Sequence, residues 1–479
     1  MLPLRLGDPE DFARVAAALR GPDFEESAVH RILRDSGNTA LGAESIEPKV
    51  AGGLASSSVL LRLFIELKRV PRAEVEAALD RATVDSFLAL DLMRGGDADC
   101  FESPVFLYPV GEMLIASDHY NKSSGADSVF PAIQTGTLHL LKLLPRSAAD
   151  DALDLCSGTG ICALVLSRYV RHAVAADVTA RAAHFAEFNR RLNDCGNVEI
   201  ACGDLYGPVQ GRTFDRIVAH PPYMPSVEEA KIWRDGGSTG EAITRRIVEG
   251  LPTYLRPGGD FLALCLGSER DEAPFHLRAR EWLGEAEAEF NLIFAVRKYL
   301  SPEELAGQVA GGENADGVER AFREAGVTRF CYGALAIQRH EGAGTRPWTM
   351  RTKLGASTGA DSFEEVFGRS RACTQLEAVA DLRPRLAPTA KATVAHRVDE
   401  SKFVATEVLL ETEFPFAHAI EFEPWIFPLA ARFDGSRNVA TVYAEAKAGE
   451  ALPAGFGFED LASLVAMLII QGYLTIDKA

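Results

Sequence analysis

Two glycines, three acids and one imidazole are spaced along this chain as a nucleotide-type pocket with an adjoining reaction centre requires. The run Asp154-Leu155-Cys156-Ser157-Gly158-Thr159-Gly160 follows an apolar stretch, Ala149 to Leu155, and precedes apolar residues at helical spacing, Ile161, Leu164 and Val165. Gly158 and Gly160 therefore occupy a strand-to-helix turn, where glycine permits positive φ and close backbone approach to a ligand. A helix starting near Thr159 directs free N–H groups toward a carboxylate or phosphate. A second apolar run ends in Asp177, 17 residues beyond Gly160. In such folds this is close to the distance at which an acid accepts hydrogen bonds from a ribose diol. A third run, Val198 to Ala201, leads into Gly203-Asp204-Leu205, and a fourth, Phe214 to Ala219, delivers His220-Pro221-Pro222-Tyr223. A neutral imidazole can accept one hydrogen bond, and it can also remove a proton near neutral pH.

Taken in order, these motifs resemble class I S-adenosylmethionine-dependent methyltransferases. The resemblance is to the group with an Asn-Pro-Pro-Tyr motif, which includes release-factor glutamine N-methyltransferases and several guanine or adenine N-methyltransferases. It covers roughly Tyr120 to Gly267 and extends to Arg234-Asp235-Gly236-Gly237-Ser238-Thr239-Gly240-Glu241, in the place of a Gly-Gly-x-x-Gly loop. Val129-Phe130-Pro131-Ala132-Ile133-Gln134-Thr135 stands where relatives cover the cofactor.

The resemblance implies S-adenosyl-L-methionine as cofactor, held by Asp154, Cys156, Ser157, Gly158, Gly160, Asp177, Val178, Asp204, Leu205 and His220. Asp177 would take the ribose and Asp204 the adenine amine. It assigns the reaction centre to His220, Pro221 and Tyr223. The side chain of the first residue and the carbonyl of the proline accept hydrogen bonds from the target amine, while the aromatic ring packs on the substrate. Two positions depart from the pattern. His220 replaces the usual Asn, so this residue either orients an amine or serves as a general base. Cys156 stands where many relatives have Gly, and no activating partner for a catalytic thiol is visible.

The strand–helix alternation around these motifs implies an α/β fold with a doubly wound, parallel, Rossmann-like sheet, ligands gathering at the strand C-termini. Leu255-Arg256-Pro257-Gly258-Gly259 reads as the turn before a fifth strand, Phe261 to Leu266. Glu287 to Arg297 and Arg329 to Gln338 read as the last two strands, with helix between them broken at Gly311-Gly312. Three parts are expected: residues 1–120, an N-terminal helical, winged-helix-like module; 121–340, the methyltransferase domain; and 341–479, a C-terminal accessory α/β domain ending in a small helical or winged module. The first part carries helix signals at Phe12 to Leu19, Leu60 to Leu67 and Pro71 to Leu79, then a hairpin signal about Gly111.

At 479 residues the chain exceeds one ordinary domain. The densest apolar run, Val59 to Ile65, is too short to cross a membrane and is broken by Arg62. Met1-Leu2-Pro3-Leu4-Arg5 lacks a signal peptide's pattern. Eight cysteines form no Cys-x-x-Cys pair, and the histidines show no metal spacing. These features lead us to expect a cytoplasmic protein without membrane or metal partners. A net charge of −18 weighs against bare nucleic acid as a partner.

The expected activity is S-adenosylmethionine-dependent methyl transfer to an amide or amine nitrogen, with a protein or peptide substrate ranked first. An rRNA base or a small-molecule amine also fits the motif. A rival of another class is a cofactor-sensing regulatory binding protein.

Overall fold

The computed structural model describes residues 2–21, 24, 26–27, 29, 59–96, 99–119, 125–133, 135–226, 232–271, 273–310, 314–342, 345–373, 375–399 and 402–476. Tyr120, Gln134 and the expected break at Gly311-Gly312 lie outside the described residues. The chain divides into two units, Met1–Leu283 with Tyr299–Tyr332, and Gly284–Lys298 with Gly333–Ala479.

The first unit is organised around five parallel strands: β1 (Ala149–Leu155), β2 (Val170–Asp177), β3 (Val198–Cys202), β4 (Phe214–Ala219) and β5 (Leu255–Glu269). Their order, β5-β4-β1-β2-β3, reverses direction at β1 and opens a crevice at its C-terminal end. Leu153, Leu155, Ala173 to Ala176 and Ile217 to Ala219 are all buried. This is the continuous apolar pattern of strands covered on both faces. The small side chains of β2 let α1 (Ile161–Leu166) and α2 (Ala180–Leu192) close against the sheet. A third helix, α3 (Ala242–Tyr254), precedes β5.

Register sets the site. Leu155 lies level with both Ala176 and Ala219, and Asp177 lies level with Cys202. Cys156, Asp177 and His220 therefore emerge at one height on one edge of the sheet. β5 begins earlier than the sequence implies. Leu255 pairs with Phe214, and regular pairing with β4 resumes only at Asp260; the irregularity between them, with Gly258 at φ +81°, falls where the sequence reads a turn.

Upstream, helices Pro9–Leu19, Val59–Phe64, Arg72–Ala78 and Arg81–Ala89 accompany three short antiparallel strands, Val70–Pro71, Arg94–Gly96 and Cys100–Glu102, the last of them central. Asp80 caps the fourth of these helices by accepting from the Thr83 N–H at 3.0 Å. A separate hairpin, Phe106–Val110 with Met113–Ser117, turns at Gly111.

This hairpin docks on α2 through two asparagines one turn apart. Asn189 accepts from the Ala116 N–H (2.8 Å) and donates to its carbonyl (3.0 Å); Asn193 does the same for Leu114 at 2.9 and 2.7 Å. The two side chains thus supply the ladder bonds that a neighbouring strand would otherwise make. Phe12 of the first helix packs edge-on against Phe188 of α2, ring centroids 5.0 Å apart.

In the second unit, Thr349–Lys353 pairs in parallel with the strand that begins at Phe290. An antiparallel sheet of Lys391–Asp399, Lys402–Thr412 and His418–Phe422 accompanies helices Val439–Ala448 and Phe458–Gln471. These elements share a core that includes Val408, Leu410, Val442, Val465 and Leu468.

Candidate active site

The glycine turn is left-handed at three points: Cys156 (φ 57°), Gly158 (φ 52°) and Gly160 (φ 79°). The two glycines serve different ends. A β-carbon at Gly160 would lie 3.0 Å from that of Ala186, so its absence lets α2 approach. At Gly158 a β-carbon would meet nothing within 4 Å among the described residues, which leaves space over this turn. Asn189 reaches the same turn, donating to the Thr159 carbonyl at 3.0 Å.

Asp177 holds the turn in place, accepting from the Gly158 N–H at 2.9 Å and the Thr179 N–H at 3.1 Å. Burial raises its pKa, and these bonds oppose the rise. A carboxylate so engaged retains lone pairs for further donors. Asp154 is buried beneath the turn, accepts from the Ala163 N–H at 3.0 Å, and is pushed up to about 8 by burial, with the Asp177 charge adding to the shift. Burial also pushes the Cys156 thiol up, so it is not a ready nucleophile. The Ser157 hydroxyl is buried without a partner among the described residues. Val178 is 49% exposed beside Asp177, and Leu205 is left-handed and half-buried at the end of β3. Asp204 is exposed and pairs with Arg246 of α3, 2.6 Å from oxygen to nitrogen.

His220 follows the end of β4, and its buried Nε2 has no hydrogen-bond partner among the described residues. Burial lowers its pKa to about 4, so the imidazole is neutral at neutral pH. Its ring stacks on Tyr223, centroids 5.9 Å apart, and Tyr223 contacts Tyr332 at 5.3 Å. The phenol of Tyr223 is raised by burial, against a hydrogen bond with Tyr332.

The Gly-Gly-Ser-Thr-Gly loop is laced to this segment. Met224 donates to the Arg234 carbonyl (3.0 Å), Gly236 to that of Met224 (2.9 Å), and Ser226 to that of Gly237 (3.1 Å). Gly240, at φ +81°, abuts the Tyr223 carbonyl so closely that a β-carbon would fall 2.2 Å from the oxygen. Next to it, buried Glu241 accepts from Ser268 at the end of β5 and pairs with Arg278 at 2.8 Å.

Structure thus gathers the sequence-predicted residues Asp154, Cys156, Ser157, Gly158, Gly160, Asp177, Val178 and His220 at one edge. Asp204 and Leu205 follow β3, where the Gly203 N–H binds the Asp177 carbonyl at 2.9 Å. Tyr332, Asn189, Arg246 and Arg278 were not found from sequence. None belongs to a local motif, and each reaches the site from an element distant in the chain.

Residues 127–266 match the family model of the methyltransferase small domain. This segment is a class I methyltransferase domain. Among relatives, a release factor glutamine methyltransferase of Moorella thermoacetica is 34% identical over 133 residues, which is 25% of this chain and 47% of that protein. That of Koribacter versatilis is 32% identical over 157 residues, 30% of this chain and 55% of the relative. A ribosomal protein uL3 glutamine methyltransferase of Bradyrhizobium diazoefficiens is 28% identical over 178 residues, 34% of this chain and 50% of the relative. The chain spans about half the length of these relatives.

The cofactor of the domain is S-adenosylmethionine, and the crevice fits it. The space over Gly158, the Ser157 hydroxyl without a partner among the described residues, the Asp177 carboxylate and the exposed apolar face of Val178 are groups that would suit its polar ends and flat ring. Among the described residues no group of side chains is arranged to hold a metal ion, and no helix is long and apolar enough to cross a membrane.

Proposed function

We propose that this protein transfers a methyl group from S-adenosylmethionine to a nitrogen of a protein substrate. The observation that carries the reading is the buried Nε2 of His220, without a hydrogen-bond partner among the described residues and held at the end of β4 level with the glycine turn. A buried polar atom left without a partner is unfavourable unless a ligand supplies one. The cofactor supplies an electrophilic methyl on a sulfonium centre. With the cofactor bound, Asp177 and the Gly158 backbone would hold its nucleoside side, Val178 and Leu205 would serve as walls and Asp204 would take the adenine amine, while Asp154, Cys156, Ser157 and Gly160 would shape the part of the site that takes the methionine end. His220 and the Pro221 carbonyl accept hydrogen bonds from the target nitrogen and fix its lone pair, and Tyr223 packs on the acceptor.

Orientation and exclusion of water are the contribution of these residues. With a pKa near 4, His220 is a weak proton acceptor at neutral pH, so its role is to orient. A protein substrate is supported by the glutamine methyltransferases that share this segment and by the chain's net charge of −18, which disfavours RNA. Such a substrate belongs with a cytoplasmic enzyme. To test the reading, the purified protein is incubated with S-adenosylmethionine and a lysate from cells lacking it, and modified peptides are mapped by mass spectrometry. Methylation at a side-chain nitrogen is expected; methylation solely at oxygen or carbon would contradict it.

A further inference from the structure

The antiparallel sheet of the second unit ends on one side in a bare strand. Lys391–Asp399 pairs with Lys402–Thr412 along one flank, and among the described residues no strand pairs with the other. All of its residues are exposed except Val394, which is half-buried. The backbone groups on such a flank are a template for another strand. The Thr406 hydroxyl donates to the Ala395 carbonyl at 3.3 Å, so that carbonyl turns inward. By alternation, the N–H and C=O groups of Ala392, Val394, His396 and Val398 turn outward.

The strand also overhangs its own core. Val394 lies opposite Val408 and packs on the core shared with the helices. Val398 and Phe403 are paired farther along the same face, yet they are 65% and 79% exposed. Leaving two large apolar side chains in water is unfavourable, and a partner that covers them removes the cost.

In sequence the strand is complementary to itself. Turned about a two-fold axis at Ala395, it sets Lys391 opposite Asp399 of a second copy, Ala392 opposite Val398, Thr393 opposite Arg397 and Val394 opposite His396. Every outward backbone group then falls in a hydrogen-bonded pair. Extended to the neighbouring strands, one row reads Glu411 and Lys391, then Asp399 and Lys402 of the second copy, with charges alternating in sign. The next row reads Leu410 and Ala392, then Val398 and Phe403 of the second copy. The overhanging pair of each copy thus reaches the margin of the other's core, to which Leu410 belongs.

We propose that this chain forms a two-fold dimer through antiparallel pairing of Lys391–Asp399 with the same strand of a second copy. The contact is isologous, so it consumes both bare flanks and closes.

The test is sedimentation velocity of the full-length protein, with thermal unfolding measured alongside. The wild type should sediment as a dimer at concentrations on the order of 100 μM. His396→Pro removes an outward N–H and spares the inner ladder, so it should unfold near the wild-type temperature and sediment as a monomer. Lys391→Glu creates two like-charge pairs across the axis, and so does Asp399→Lys; each should raise the dissociation constant about tenfold. An equimolar mixture of these two variants has opposite charges at both positions and should dimerise within about threefold of the wild type. The charge series decides by itself should the proline variant fail to fold. A wild type that stays monomeric would overturn the proposal and leave the flank to an extended segment of another protein. A dimer indifferent to both charge reversals, or one that the mixture does not recover, would overturn it as well.

Discussion

His220 and Asp177 emerge level with the glycine turn at one edge of the sheet, yet their substitution should have opposite signatures. Asp177→Ala removes the acceptor of the Gly158 N–H and the carboxylate proposed to take the ribose. It should weaken cofactor binding by about 1–3 kcal/mol, measured by titration calorimetry. His220→Ala should leave binding largely intact and suppress transfer. If His220→Ala abolished binding while Asp177→Ala did not, the two roles would be wrongly assigned. Protonation offers a second check. The folded imidazole takes a proton only below about 4, whereas the unfolded one does so below its ordinary 6.5. Its contribution to stability is therefore full above 6.5 and is lost as pH falls through that window. His220→Asn should flatten this acid limb in thermal unfolding, and the wild-type rate should show no inflection near 6.5. Asp154 acts in the reverse direction: it keeps its proton up to about 8, so its contribution fades as pH rises toward that value.

Between elements, the site depends on side chains that tie separate segments together. Asn189 joins the hairpin, α2 and the glycine turn, and Asn189→Ala leaves the Ala116 and Thr159 backbone groups without it. A loss of about 1–3 kcal/mol in stability is expected from denaturant unfolding, because these groups are buried. Arg278→Met would leave Glu241 buried without its cation, which typically costs about 3–5 kcal/mol. Gly240→Ala places a β-carbon against the Tyr223 carbonyl at a left-handed φ, and should impair transfer through displacement of the loop. The parallel strands and the ends that carry Asp177 and His220 were legible in sequence, since apolar runs and motif residues adjoin there. The strands Val70–Pro71, Arg94–Gly96 and Cys100–Glu102 were not, because two or three residues show no alternation. Tyr332 was missed as well: what brings it to Tyr223 is sheet packing, for which local spacing gives no signal.

At the scale of the molecule, one methyltransferase domain accounts for residues 127–266, while the second unit has a core of its own. The protein acceptor proposed for it suits a chain of net charge −18 better than an RNA would. The most direct measurement uses methyl-labelled S-adenosylmethionine and a lysate from cells lacking the protein, with products separated into protein, RNA and small-molecule fractions. Label that resists ribonuclease and remains with protein, and that is lost with His220→Ala, is the predicted result. Label released by ribonuclease, or no label in any fraction despite cofactor binding, would contradict it.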